Sequence, residues 1–171
     1  MKKWSPNYIS TLLVFLMICS FHVVAAQEPP TVLTGPELSR VVPPGFYFQG
    51  LSASTQMRNA VAARFGSKRY VIAGLVDTSG YAADLRARYE GFLITDSEIT
   101  ISGSPLATGA YGFGFTDNGK LNILDLAGNQ ILSVATTKDD TLKRPRPLMM
   151  SKYSNGVRLY SGRQYALISI K

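Results

Sequence analysis

The chain has 171 residues with 18 Lys and Arg against 11 Asp and Glu, and its single Cys (Cys19), His (His22) and Trp (Trp4) all fall within the first 22 positions. Those positions read as an export leader, and its removal leaves 145 residues at net charge +5 without a thiol or an imidazole. That inventory excludes Ser-His-Asp triads, Cys-His dyads and zinc sites built from His or Cys, and implies no metal and no cofactor.

Lys2 and Lys3 precede an apolar run over residues 12–24, and Val24-Ala25-Ala26 supplies the small residues of a cleavage site. The expectation is a signal peptide over residues 1–26, cleaved after Ala26, with the mature protein in the periplasm or outside the cell. The apolar run is too short for a comfortable membrane span, so no transmembrane helix is expected in the mature chain. Ile18, just before Cys19, is bulky where bacterial lipoproteins resemble one another in carrying a small residue, which argues against lipidation. The remaining length suits one domain with a real core.

Residues 27–45 contain Pro29, Pro30, Pro36, Pro43 and Pro44 and read as an extended, proline-rich entry segment. A single β domain is expected over residues 46–171. Phe46-Tyr47-Phe48 opens it as a plug at one end of the core. Residues 56–65 favour a strand over a helix, because Gly66-Ser67-Lys68 makes a turn into residues 70–76. That next run, YVIAGLV, is apolar at every position, as in a strand covered on both faces. Ser79 is placed to cap a short helix over residues 81–89. A strand over the same residues is equally available. Residues 92–95 and 98–102 read as a hairpin about Asp96-Ser97, with Ile99 and Ile101 inward.

The most informative stretch is residues 109–133. Tyr111, Phe113 and Phe115 alternate with Gly112 and Gly114, the period-2 pattern of a strand. Asn118-Gly119 predicts a two-residue hairpin loop that pairs Asp117 with Lys120, Phe115 with Asn122 and Phe113 with Leu124. Gly128-Asn129 predicts the next turn, with Leu126 opposite Ile131, completing a three-strand meander. Beyond it, residues 136–147 form a polar link in which Pro145 and Pro147 forbid helix. Residues 148–153 and 157–160 read as strands joined by Ser154-Asn155-Gly156. A Ser161-Gly162 loop then pairs Tyr160 with Arg163 and Val157 with Ala166 in the terminal hairpin. Turns at this spacing predict an all-β fold, an antiparallel β-barrel or closed β-sandwich of roughly eight to ten strands with at most one short helix.

Three stretches are candidate sites. Leu75-Val76-Asp77-Thr78-Ser79-Gly80 is similar to the aspartic protease signature of two apolar residues and Asp-Thr-Gly, but Ser79 interrupts it and no second copy exists. Catalysis by Asp77 needs a second carboxylate across a dimer. Its structural alternative is an Asx turn closing a buried strand. Lys143, Arg144 and Arg146, with Lys138 and Lys152 near, form the one basic cluster, diluted by Asp139 and Asp140. It suits phosphate contacts or a solvated loop, and export argues against nucleic acid. The strand Tyr111, Gly112, Phe113, Gly114, Phe115 is the ligand-binding candidate. Its glycines admit a small apolar ligand, or they accommodate a bulky side chain such as Tyr165 or a sharp bend.

The blocks AGLVDTSGY (73–81), GAYGFGF (109–115), LKRPRPL (142–148) and VRLYSGRQY (157–165) resemble those of small exported bacterial all-β proteins of unknown function. The resemblance implies no activity. The expected function is non-enzymatic binding of a small apolar ligand or a partner protein in the cell envelope. The alternatives are an aspartyl hydrolase using Asp77 and a small outer-membrane β-barrel.

Overall fold

A computed structural model describes residues 28–171, so the expected leader and its cleavage point after Ala26 lie outside the described residues. Along the chain run β1 (Thr31–Val32), α1 (Gly35–Val41), β2 (Gly45–Phe48), β3 (Leu51–Phe65), β4 (Arg69–Val76), α2 (Ala83–Arg86), β5 (Gly91–Thr95), β6 (Ile99–Ile101) and β7 (Ser104–Leu106). There follow β8 (Gly109–Thr116), β9 (Lys120–Leu124), β10 (Gln130–Ala135), β11 (Thr137–Lys138), β12 (Arg146–Tyr153), β13 (Gly156–Gly162) and β14 (Gln164–Ile170).

The strands form two antiparallel sheets. One has the order β1-β3-β4-β5-β8-β9-β10 with β2 also on β3; the other has the order β12-β13-β14-β6-β7 with β11 also on β14. Neither sheet closes, which corrects the expectation of a barrel. The count exceeds the expected eight to ten because five of the fourteen strands are only two to four residues long. There are two short helices where at most one was expected. The added one, α1, lies in the proline-rich entry segment. Pro36 sits in its first turn, where a missing N–H costs nothing. That segment is no loose tether: Val32 pairs with Ala63, and Leu33 and Val42 are buried.

The first sheet is covered on both faces, which is why β4 is apolar throughout. Val71, Ala73 and Leu75 face a core shared with the second sheet, where Ile99, Ile101, Val157, Leu159, Ala166 and Ile168 meet Phe113, Leu121 and Ile123. Ile72 and Val76 face a second core, closed by Val42, Phe46, Phe48, Tyr81, Leu85 and Tyr89. Full burial of such side chains contributes about 1.5–3 kcal/mol each, so these two cores supply most of the cohesion.

The chain changes sheets where a hairpin was expected. β5 stays in the first sheet and β6 enters the second. The Asp96 carboxylate accepts the Tyr70 N–H at 2.8 Å and the Thr95 hydroxyl donates to Ser97 O at 2.7 Å, which turns the chain outward. β6 then folds back on β7 over Ser102-Gly103, both at positive φ (47° and 86°). Helix formation over residues 81–89 is confined to the single turn α2. Ser79 does not cap it: the residue before α2 is Ala82, without a side-chain cap.

Candidate functional site

The meander of β8, β9 and β10 exists, but one residue out of the expected register. Thr116 pairs with Lys120, Phe115 with Leu121, Phe113 with Ile123 and Gly112 with Leu124. The loop has three residues, because Gly119 alone takes positive φ (76°) while Asn118 does not. Gly119 N donates to Thr116 O at 3.0 Å, and the Thr116 hydroxyl accepts Lys120 N at 3.2 Å, giving a turn with a glycine bulge. A slip of one residue exchanges faces. Phe113 and Ile123 therefore enter the shared core, while Gly112 and Leu124 face the second core. In the next connection the Asp125 carboxylate accepts Ala127 N and Asn129 N, and Gln130 rather than Ile131 begins the pairing, opposite Leu124.

Gly112 of β8 is part of a row across five strands: Ala60, Gly74, Phe92, Gly112 and Leu124 are successive pairing partners. Small residues on either side of Phe92 leave a trough in the sheet. Phe46 stacks on Phe92 with centroids 5.0 Å apart, and Phe48 stacks on Tyr89 at 4.0 Å. A Cβ at Gly112 would lie 2.5 Å from the Phe48 ring, and one at Gly114 would lie 2.3 Å from Arg88 O. The trough is thus filled from within by Phe48, Tyr89 and the backbone at Arg88, not by Tyr165 and not by open space. Of the candidate strand, Phe113 is fully buried and Gly112 and Gly114 are covered by those groups. The clue in the sequence was Phe46-Tyr47-Phe48: Phe46 and Phe48 are the buried plug, and Tyr47 between them is exposed.

Asp77 follows β4 on the surface. Its carboxylate accepts Ser79 N at 3.0 Å, and that hydrogen bond holds its pKa below the usual carboxylate value. This is the Asx turn. A shared-proton dyad needs a second carboxyl in contact with this one. Asp77 borders a surface cleft of about 280 Å³ with Leu51, Ser52, Ser54 and Tyr81, and no second carboxylate lines it.

Lys143 and Arg144, on the link between β11 and β12, and Arg146, the first residue of β12, are exposed and, among the described residues, form no ion pair. The loop before them is tied down. The Arg163 guanidinium donates to the carbonyls of Asp140 and Leu142, and Asp139 accepts from Thr141 N and from the Tyr160 hydroxyl.

One feature escaped sequence reasoning because it is a property of the sheet. β10 (QILSVA) ends the strand order of the first sheet and, among the described residues, pairs only with β9. It contains neither charge nor proline, and Ile131 on it is exposed. The other sheet margins are guarded in the usual ways. β1 and β11 have two residues each; β2 follows Pro43-Pro44; β7 contains Pro105; β12 contains Arg146, Pro147 and Lys152.

Against family models, curated proteins and solved structures, the chain gives no significant match. Among the described residues no helix is long and apolar enough to cross a membrane.

Proposed function

We propose that the chain is exported by residues 1–26 and that the rest is a sandwich-like, non-enzymatic binding domain of the cell envelope or extracellular space. It engages a partner protein by accepting an extended strand at the β10 edge, rather than a small apolar ligand in its interior. The observation that carries this reading is the unguarded edge. A six-residue edge strand, whose outward-facing N–H and C=O groups alternate with those bonded to β9 and which has no charge or proline to repel a strand, is what strand addition uses. The filled trough at Gly112 and Gly114 supports surface over interior binding.

The test combines native mass spectrometry of the protein from its own host with hydrogen exchange. The expected result is a complex in which amides of residues 130–135 become protected. Ile131→Lys should abolish the complex with little change in melting temperature, since Ile131 is 47% exposed. A tightly held small apolar molecule, or a complex that leaves those amides as open as in the free protein, would overturn the reading.

A further inference from the structure

Charge is divided unevenly between the two halves of the fold. Residues 28–135 carry eight Lys or Arg against nine Asp or Glu, a net −1, whereas residues 136–171 carry eight against two, a net +6. The second segment supplies β11, β12, β13 and β14, so the excess sits on the second sheet and its loops. Its two acids do not neutralise the cluster. Asp140 is paired with Lys138 at 2.8 Å, and Asp139 is held by Thr141 and the Tyr160 hydroxyl and lies 3.9 Å from the Arg158 guanidinium, so the two acids face Lys138 and Arg158 and not Lys143, Arg144 or Arg146. Lys143, Arg144 and Arg146 remain without a carboxylate partner among the described residues.

The outer face of the same sheet continues this charge. Val157 and Leu159 point into the core, so Arg158 between them points out. Its guanidinium lies 3.9 Å from the centroid of the Tyr153 ring and 4.6 Å from that of Tyr165. Two flat rings thereby hold the cation in place, which removes much of the entropy a free arginine loses on binding. Gly162, four residues along β13, pairs with Arg146, so a cationic track of about 13 Å runs from Arg158 to the basic loop. Arg163 fixes the base of that loop through two backbone carbonyls.

We propose that this face binds a linear anionic polysaccharide, with carboxylate or sulfate groups on the basic track and a sugar ring against Tyr153, at a site separate from the β10 edge. Charge complementarity names the sign of the partner, and the aromatic arrangement narrows its class. Successive bases of a single-stranded nucleic acid need several open rings. Here Tyr160 is buried and Tyr165 is enclosed between Tyr160 and Arg158, which leaves Tyr153, 46% exposed with Arg158 over one face, as the most exposed of the three rings. A bilayer surface would need an apolar side chain to insert from the loop; Leu142 is instead half-buried and tethered through its carbonyl.

The test is binding of the purified protein to heparin and dextran sulfate, with neutral dextran, poly(dT) and vesicles rich in phosphatidylglycerol as comparisons. Both sulfated polymers should bind in a salt-sensitive manner and neutral dextran should not. The triple variant K143S/R144S/R146S should lose about tenfold or more in affinity at roughly 0.1 M salt. The triple R58S/K68S/K120S removes equal charge from exposed positions of the first sheet and should stay within about twofold of the parent. Tyr153→Ala should weaken polysaccharide binding about fivefold while Tyr153→Phe preserves it. Equal losses from the two triples would reduce the effect to net charge and overturn the site. Binding of poly(dT) or vesicles as tight as that of heparin, or indifference to Tyr153→Ala, would overturn the polysaccharide assignment.

Discussion

Replacing Gly114 by alanine tests whether the β8 glycines exist for close packing. The added Cβ would sit 2.3 Å from Arg88 O and 2.7 Å from Arg88 C, and the backbone there is held on both sides. Glu90 N donates to Phe113 O at 2.8 Å, Phe115 N donates to the Glu90 carboxylate at 3.0 Å, and Tyr89 is stacked on Phe48. Relieving the clash requires a backbone movement of about 1 Å in a close-packed layer, which costs roughly 1–3 kcal/mol. The two hydrogen bonds loosened with it add about 1 kcal/mol each. A total of about 3–5 kcal/mol lowers the melting temperature of a domain this size by roughly 6–20 °C. Thermal unfolding followed by circular dichroism reads this directly. Gly80→Ala is the control: nothing lies within 4 Å of its added Cβ, and it should change stability by no more than about 1 kcal/mol in either direction. If Gly114→Ala melts within about 2 °C of the parent, the packing argument is refuted, and the space over β8 is looser than the structure has it.

Deleting residues 167–171 should leave the protein unfolded or aggregated. Ile168 is fully buried, and β14 pairs with β13 on one side and with β6 and β11 on the other. Each buried side chain lost costs about 2–5 kcal/mol against a total of about 5–15 kcal/mol. A soluble truncation that melts cooperatively near the parent would remove β14 from the core. Deleting residues 28–34 should cost about 2–4 kcal/mol, through Leu33 and the β1 pairing. An unaltered melting temperature would return that segment to a tether. Burial, more than the opposing Phe115 N–H bond, raises the Glu90 pKa, and Asp117 raises it further. The folded state therefore holds its proton more tightly than the unfolded state, and the parent loses stability as pH rises from the unfolded value through the folded one. Glu90→Gln should melt above the parent at neutral pH, with the gap closing toward pH ~4. A gap independent of pH would show that the carboxylate is not the cause.

Strand positions were legible in the sequence wherever a local signal was strong. Alternation marked β8 and β14, the unbroken apolar run marked β4 as covered twice, and the loss of Cys19 and His22 with the expected leader bounded the chemistry. Register was less legible, because it turns on which residue of a loop takes positive φ. At Asn118-Gly119 only the glycine does, and the resulting slip of one exchanged the faces of β9. In the terminal hairpin the loop is Gly162-Arg163 instead of Ser161-Gly162, and Leu159 rather than Val157 pairs with Ala166. That slip of two is even, so Val157, Leu159, Ala166 and Ile168 still share the buried face as expected. Nothing local could show that β5 and β6 part into different sheets, that Phe48 and Tyr89 fill the row beside Gly112, or that β10 is left at an open edge. Each of these depends on which distant segment takes a given place. β8 occupies the side of β5 that β6 would have used, and the rings of residues 46–48 reach the trough only once β2 has paired with β3. Local residue chemistry sets where strands begin and end; competition among distant segments for the same hydrogen-bonding edges and apolar faces decides which of them become neighbours.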